Sequence, residues 1–435
     1  MNRKVIRAGG ALIASAVLAT GLAACSSGDG GGADGEIDTS RTLNLTLANH
    51  SWTTAMQELV GEFTDETGIK VDVNVYDDEQ LAQLYNVKLN AASDEIDVMM
   101  YRPLQDAQLF SKNNWLEDLT PYIDENPEWN WEDFWQSSRD SLTIDGQIVG
   151  VPLASETAMM LYRTDLLAET GMEYPKTFDD LTAVVEKIHE LHPDIFAFAG
   201  RGERSAAVTQ FSSFLYGFGG DWFDDEGKAT IDTPEAKAAY KYYGGLIRDY
   251  GPPGATDMNW PQVMGLLQQG LVAFYPEGSS NYAAAVDPEN STVKDVIGVG
   301  PIPAGEAGSK PYNITSMAIG VSSSSTNKAA AWEFIKWVTS EKTVLAIQQA
   351  DVPGARTSVW DNPEGTASLP ADLLATIQGN AEIGVGYDRP YVINVAEARQ
   401  YVGDPIVTAI QGGDVDAAAD KAAQDFQAIL DREAE

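Results

Sequence analysis

The sequence predicts an α/β fold arranged as two lobes, and three observations carry that reading. Extended and helical periodicities alternate between residues 42 and 101, the signature of strands joined by helical crossovers. Helical stretches recur among short extended ones through the rest of the chain. The 435 residues exceed the roughly 250–300 at which a single hydrophobic core stops growing. An apolar content of 44% and ten tryptophans place the chain among globular rather than disordered proteins.

The elements follow in order. "LNLTLAN" alternates Leu43, Leu45 and Leu47, which suits a strand. Thr54 with Gln57 has the spacing of a capping box, and Met56, Leu59, Val60 and Phe63 recur at helical intervals. Gly68 is placed to end that helix in the left-handed conformation. "IKVDVNV" predicts a second strand, Leu81, Leu84, Tyr85 and Lys88 a second helix, and "IDVMMY" a third strand. Such an alternation builds a parallel sheet with right-handed crossovers. Ligands in these sheets sit beyond the carboxyl ends of the strands, here near Asn49–Thr53 and Tyr101–Gln105. Further on, "FDDLTAVVEKIHELH" turns Leu181, Val184, Val185 and Ile188 inward, and "AAAWEFIKWVTS" does the same with Ala331, Phe334, Ile335 and Val338. "DDEGKATI" predicts a turn at Gly227, and "DVDAAADKAAQDFQAIL" an alanine-rich helix. No repeat of solenoid or propeller period is present.

The opening segment has its own logic. Arg3, Lys4 and Arg7 precede an apolar run, Ala11–Leu22, too short to span a membrane. Small residues then lead to Cys25, the one cysteine of the chain. "LAAC" resembles the lipobox of a bacterial lipoprotein signal, which implies cleavage after residue 24 and diacylglyceryl attachment at Cys25, with acyl chains such as palmitate holding the membrane. Residues 25–40 read as a flexible tether. Loss of Arg3, Lys4 and Arg7 takes the formal net charge from −37 to −40. So acidic a surface repels nucleic acid and anionic headgroups.

Motifs of catalysis are missing. The chain has no GxSxG elbow, no P-loop and no glycine fingerprint. "GVGPIPAG" looks like a nucleotide loop, but Pro301 and Pro303 lack the amide donors a phosphate needs. His189 and His192 share a helix face but find only His50 as a third imidazole. In "DWFDDEGKATID", Phe223 and Glu226 stand where a calcium loop needs an oxygen ligand and a glycine. Neither cofactor nor metal is expected.

Longer stretches carry a resemblance. "EFTDETGIKVDV", "DVMMYRPLQDAQLFSKNNWLEDLTPYI", "IVGVPLASETAMMLYRTDLLAETG", "GFGGDWFDDEGKATIDTPEAKAA" and "KPYNITSMAIGVSSSSTNKAAAWEFIKWVTS" are similar, in order, to segments of the extracellular solute-binding proteins of carbohydrate ABC transporters. The resemblance implies a periplasmic-binding-protein-like fold with crossing hinge segments and a sugar held in an interlobe cleft. It implies a monomer, tethered through Cys25 to the outer face of the cytoplasmic membrane, that delivers its ligand to ABC permease subunits. The N-terminal lobe is expected at 41–154 and 314–354 and the C-terminal lobe at 155–313 and 355–435, with crossings near Ala154–Glu156, Pro311–Thr315 and Pro353–Ala355.

Sugars are held by aromatic faces and by polar side chains that fix hydroxyls. The expected ligand residues are Trp52 and Arg102 at strand ends of the first lobe and Glu156 in the first crossing. Arg201 on a glycine-flanked loop, Trp222, Glu277 and Ser280 are expected from the second lobe, with Asn313 and Arg389 near later crossings. In "FYPEGSSNY" the family often carries a tryptophan platform, where this chain has Glu277-Gly278-Ser279-Ser280. That departure suggests a more polar pocket. Two alternatives remain open at this point: the same fold binding a polyol or a non-sugar solute, and an anchored enzyme acting on polysaccharide.

Overall fold

A computed structural model describes residues 37–434. The signal segment, Cys25 and most of the tether lie outside those residues. Ten strands are present among them: β1 (Thr42–Ala48), β2 (Lys70–Tyr76), β3 (Val98–Tyr101), β4 (Thr143–Ile144), β5 (Gln147–Ile148), β6 (Val151–Arg163), β7 (Phe196–Phe198), β8 (Val272–Gly278), β9 (Ile297–Gly300) and β10 (Asn313–Val321). β4 and β5 form a small hairpin, and the other eight make one mixed sheet in the order β2-β1-β3-β10-β6-β8-β7, with β9 also on β6.

The first lobe is the one the periodicity predicts. β1 runs parallel to β2 and to β3, and Leu43, Leu45 and Leu47 are fully buried. The first helix differs at its start. It begins at Ser51, three residues before Thr54, and its cap is His50, whose Nδ1 accepts the Trp52 amide at 3.0 Å. Gly68 does end it, at φ 76°, and Gly227 likewise takes φ 75° in its turn. The two histidines considered for a metal go separate ways: His192 meets Glu169 at 2.9 Å, while His189 lies edge-on to Tyr250.

β6 and β10 join the two halves of the sheet. The early part of β6 pairs antiparallel with β10, Glu156 standing opposite Ile314 and Thr157 opposite Asn313. The register is irregular at Thr315–Met317. The later part of β6 lies between β8 and β9. The later part of β6, with β7, β8 and β9, is thus the second lobe's share of the sheet. One face of it is covered by the helices Phe178–Leu191, Arg204–Gly217, Pro234–Tyr250 and Val395–Ile410, whose apolar side chains form one core cluster. The other face, covered by the helices Trp260–Gln268 and Ala371–Ile383, is continuous with the core of the first lobe.

Two boundaries differ from expectation. Residues 356–366, assigned by sequence to the second lobe, pack on the first. The buried Arg356 guanidinium donates to Asp133 (2.9 Å) and to the carbonyls of Thr339 (2.6 Å), Trp129 (3.0 Å) and Asn130 (3.3 Å). The Trp360 ring stacks on Trp135 at 5.6 Å, and Gln348 donates to the Gly365 carbonyl. Conversely, Leu104, just past β3, is buried among second-lobe side chains. The last helix, Val415–Ala434, also returns to the first lobe at its end. The Glu433 carboxylate accepts the amides of Ile393 (2.9 Å) and Asn394 (2.7 Å), while its backbone carbonyl accepts Lys112 Nζ at 3.1 Å.

Candidate functional site

Alternation along β8 points Tyr275 and Glu277 to one side, where they meet a loop that leaves β7 and carries Arg201. Glu277 is almost fully buried. It accepts Arg201 Nε at 3.1 Å, Arg201 Nη2 and the Tyr275 hydroxyl at close range, Gln210 Nε2 at 3.0 Å and the Gly278 amide at 2.8 Å. A carboxylate can be buried only with such compensation. Gln210 fixes the opposite partner as well: its Oε1 accepts the Arg201 amide at 2.7 Å and lies 3.0 Å from the Tyr243 hydroxyl. Gly200 is required at this packing, because a Cβ there would fall 2.7 Å from the Tyr243 oxygen. Burial alone would lower the Arg201 pKa, but the charge and hydrogen bonds of Glu277 outweigh it and raise the pKa above the ordinary value.

Glu156, on the crossing strand, accepts the Ser280 hydroxyl at close range and the Tyr312 hydroxyl at 3.4 Å. It approaches β8 so closely that a Cβ at Gly278 would fall 2.5 Å from its Oε1. Desolvation raises its pKa; Ser280 opposes that rise, the charges of Glu277 and Asp388 add to it, and Arg201 opposes it again.

A second pair completes the group. Asp388, fully buried, accepts Arg389 Nε at 2.5 Å and Nη2 at 2.6 Å. Burial pushes its carboxyl up, but Arg389, Arg399 and Thr209 pull it down to about 2. Arg399 donates to the Ser205 carbonyl at 2.9 and 2.6 Å and to Thr209 Oγ1 at 3.1 Å. Burial, with the like charges of Arg389 and Arg201, lowers it to about 9. Three carboxylates thus stand among three guanidiniums, and the set is close to neutral.

Of the residues expected from sequence, Glu156, Arg201, Glu277, Ser280 and Arg389 come together here. Arg102 lies apart, at the end of β3 in the first lobe. There its amide donates to Asp106 at 3.0 Å, and the two line a cavity of about 70 Å³ with Ala48, Tyr85, Tyr101 and Met317. Three expectations are corrected. Trp52 is only 1% exposed because the first turn of its helix faces the core. Trp222 is 0% exposed, donating Nε1 to the Tyr216 hydroxyl at 2.6 Å and packing on Phe211. Asn313 is buried beside Ser137, to which its Nδ2 donates at 3.1 Å. None of these three presents a surface to a ligand. Sequence reasoning missed Gln210, Tyr275, Tyr312, Asp388 and Arg399. The i, i+2 spacing of Tyr275 and Glu277 was the one local signal; the other partners are brought together only by tertiary structure. No group of three or more His, Cys, Asp or Glu side chains placed to hold a metal occurs among the described residues.

Comparisons with known proteins agree with this architecture. Among curated proteins, the chain is 24% identical to a mannitol-binding protein of Pseudomonas aeruginosa over 73% of its own length and 74% of the relative. It is also 24% identical to an erythritol/L-threitol-binding protein of Mycolicibacterium smegmatis, over 76% and 74%. Its fold is similar to the sugar-binding protein MalE of Xanthomonas citri (TM-score 0.79, 21% identity, 90% of this chain and 98% of that one). A similar match is an ABC transporter solute-binding protein of Agrobacterium radiobacter in complex with ribitol (TM-score 0.72, 24% identity, 89% and 98%). Both neighbours are binding proteins rather than enzymes. The profile described as bacterial extracellular solute-binding protein matches residues 49–344, and with a two-lobe fold around that span the chain belongs to this family.

Proposed function

We propose that this protein is the receptor of an ABC importer. It captures a sugar or sugar alcohol between its lobes at the outer face of the cytoplasmic membrane and delivers it to permease subunits. The observation that carries the reading is the charge-balanced group of Glu156, Arg201, Glu277, Ser280 and Arg389 beside the strands that join the lobes. Such a group offers many directed hydrogen bonds without demanding a charged ligand. The names of the relatives and the ribitol complex of a structural neighbour support a polyhydroxylated ligand.

The anchor belongs to the same proposal. The signal-like residues 1–24 and Cys25 attach the receptor through a lipid, and the following tether leaves it able to reach its permease as a monomer. The lobe boundaries, with residues 356–366 moved to the first lobe, define the bodies that close on the ligand. Thermal-shift measurements on the purified full chain with a panel of sugars, polyols, amino acids and peptides test the reading. Stabilisation confined to sugars or polyols is expected. A response to amino acids or peptides alone would end the carbohydrate assignment, and conversion of a bound sugar to product would end the receptor assignment.

A further inference from the structure

On the receptor reading just given, which it requires, the geometry points to Tyr391 as a positioning residue. Its hydroxyl ties the segment that carries Asp388 and Arg389 to the first lobe, so that solute contact and lobe orientation depend on each other. Residues 384–394 form a strap between the helices Ala371–Ile383 and Val395–Ile410. The strap starts at the crossing between lobes. There the Val385 amide donates to the Pro311 carbonyl at 2.9 Å, and the Val385 carbonyl accepts the Asn313 amide at 2.8 Å. Gly386 lies against the first-lobe helix Gln136–Ser141, where a Cβ would fall 2.6 Å from the Ser137 carbonyl oxygen. Beyond this point the ties diverge. Tyr387 belongs to the second lobe, its hydroxyl donating to Asp221 at 2.9 Å and its carbonyl accepting the Tyr216 hydroxyl at 3.0 Å. Tyr391 reaches the first, its hydroxyl donating to the Ser141 carbonyl at 2.8 Å.

Arg389 stands between these ties, two residues from each. Two residues of chain reach at most about 7 Å, so neither tie can move far without carrying Arg389 along. The guanidinium uses Nε and Nη2 on Asp388, which leaves Nη1 outside the pair as a donor to a solute hydroxyl. Tyr391 has a second distinction. Among the described residues, it alone of the half-buried apolar side chains packs against both hydrophobic cores. The other bridge at this end, from Lys112 to the Glu433 carbonyl, is exposed and holds less. A lobe movement that displaces Ser141 therefore moves the guanidinium. By linkage, a solute that holds the guanidinium favours the lobe arrangement that suits it.

Spin labels at Val87→Cys in the first lobe and Leu191→Cys in the second, both exposed, report the lobe arrangement by pulsed electron resonance. The full chain is used, with Cys25→Ser so that no other thiol is labelled. Tyr391→Phe keeps the ring and removes only the hydroxyl, and circular dichroism checks its fold. Without solute, it should alter the ratio of lobe arrangements about fivefold, seen as a widened or displaced distance distribution. A distribution identical to the parent's overturns the inference, even if hydrogen exchange shows residues 385–394 loosened, because the hydroxyl is then only a local support. Those of mannitol, ribitol, glucose and maltose that stabilise the chain should displace the parent's distribution, and displace that of Tyr391→Phe by less than about half as much. Equal displacement in both overturns the inference and leaves the receptor reading intact. Absence of stabilisation by any sugar or polyol ends that reading instead, while the solute-free measurement still decides the role of Tyr391.

Discussion

Two paired arginines, one in each lobe, make the most instructive comparison. Arg356, buried in the first lobe, has all three guanidinium nitrogens bonded, to Asp133 and three backbone carbonyls, and its central carbon lies 4.2 Å from the centre of the Phe134 ring and 5.2 Å from that of Trp129. Arg201, in the second lobe, is bonded edge-on to Glu277 and keeps one nitrogen outside the pair. Both satisfy the rule that a buried charge must be paired. The difference is one of completeness: a guanidinium used on every edge holds elements together, whereas one used on a single edge can still receive a ligand.

The largest expected effect sharpens that contrast through stability. Arg356→Ala strands the partly buried Asp133 and leaves three carbonyls short of a donor, so a loss of about 3–5 kcal/mol is expected by chemical denaturation. Affinity measured on the folded fraction should remain within about twofold of the original. Arg201→Ala should do the opposite in binding, costing roughly 2–5 kcal/mol of affinity because Glu277 is left buried without its cation. If Arg356→Ala abolishes binding in folded protein, or Arg201→Ala leaves it intact, the division of labour is wrong.

A pH titration separates the pairs more finely. Asp388 has a folded pKa of about 2, below the ordinary carboxylate value near ~3.9. Its contribution is therefore fully present above the unfolded pKa and is lost as the pH falls through ~4 toward 2, and it amounts to roughly 2 kcal/mol. Glu156 has the opposite sign. Its raised pKa means the native state favours the protonated form, so its contribution is greatest below the unfolded pKa and disappears as the pH rises through the folded one. Denaturation curves from pH 2 to 7 should show Asp388→Asn flattening the acid limb, while Glu156→Gln should lose none of the stability at neutral pH. The smallest effect is expected at Lys112, whose exposed contact with the Glu433 carbonyl bridges the lobes. Lys112→Ala should alter stability by less than about 1 kcal/mol, read from the same curves.

The parts of this structure legible in the sequence are those with local causes. β1, β2 and β3 declare themselves by alternation, and Gly68 and Gly227 by the positive φ their turns require. Arg201 and Glu277 were accessible as polar residues on loops and strand ends of a recognisable family pattern. Trp52 and Trp222 were not, because whether an indole faces a cleft or a core depends on what packs over it, and that is not written in its neighbours. The boundary at residue 355 was misplaced for a related reason: the partners of Arg356 lie at Trp129–Asp133, more than 200 residues earlier in the chain. The His50 cap escaped notice because histidine is an unusual acceptor at that position.

The pairing of Glu156 opposite Ile314, next to the irregular register at Thr315–Met317, has a mechanical meaning. Those residues lie where β6 passes from its pairing with β10 to its pairing with β8, so in a receptor of the proposed kind the carboxylate would sit on the axle of the molecule rather than on its rim. In a receptor of the proposed kind, a contact at the axle tilts each lobe as a lever. Displacement then grows with distance from the pivot, so that a few tenths of an ångström gained around one hydroxyl become a movement of several ångströms at the outer faces. The parts of the protein farthest from the solute would thus be the best placed to announce it.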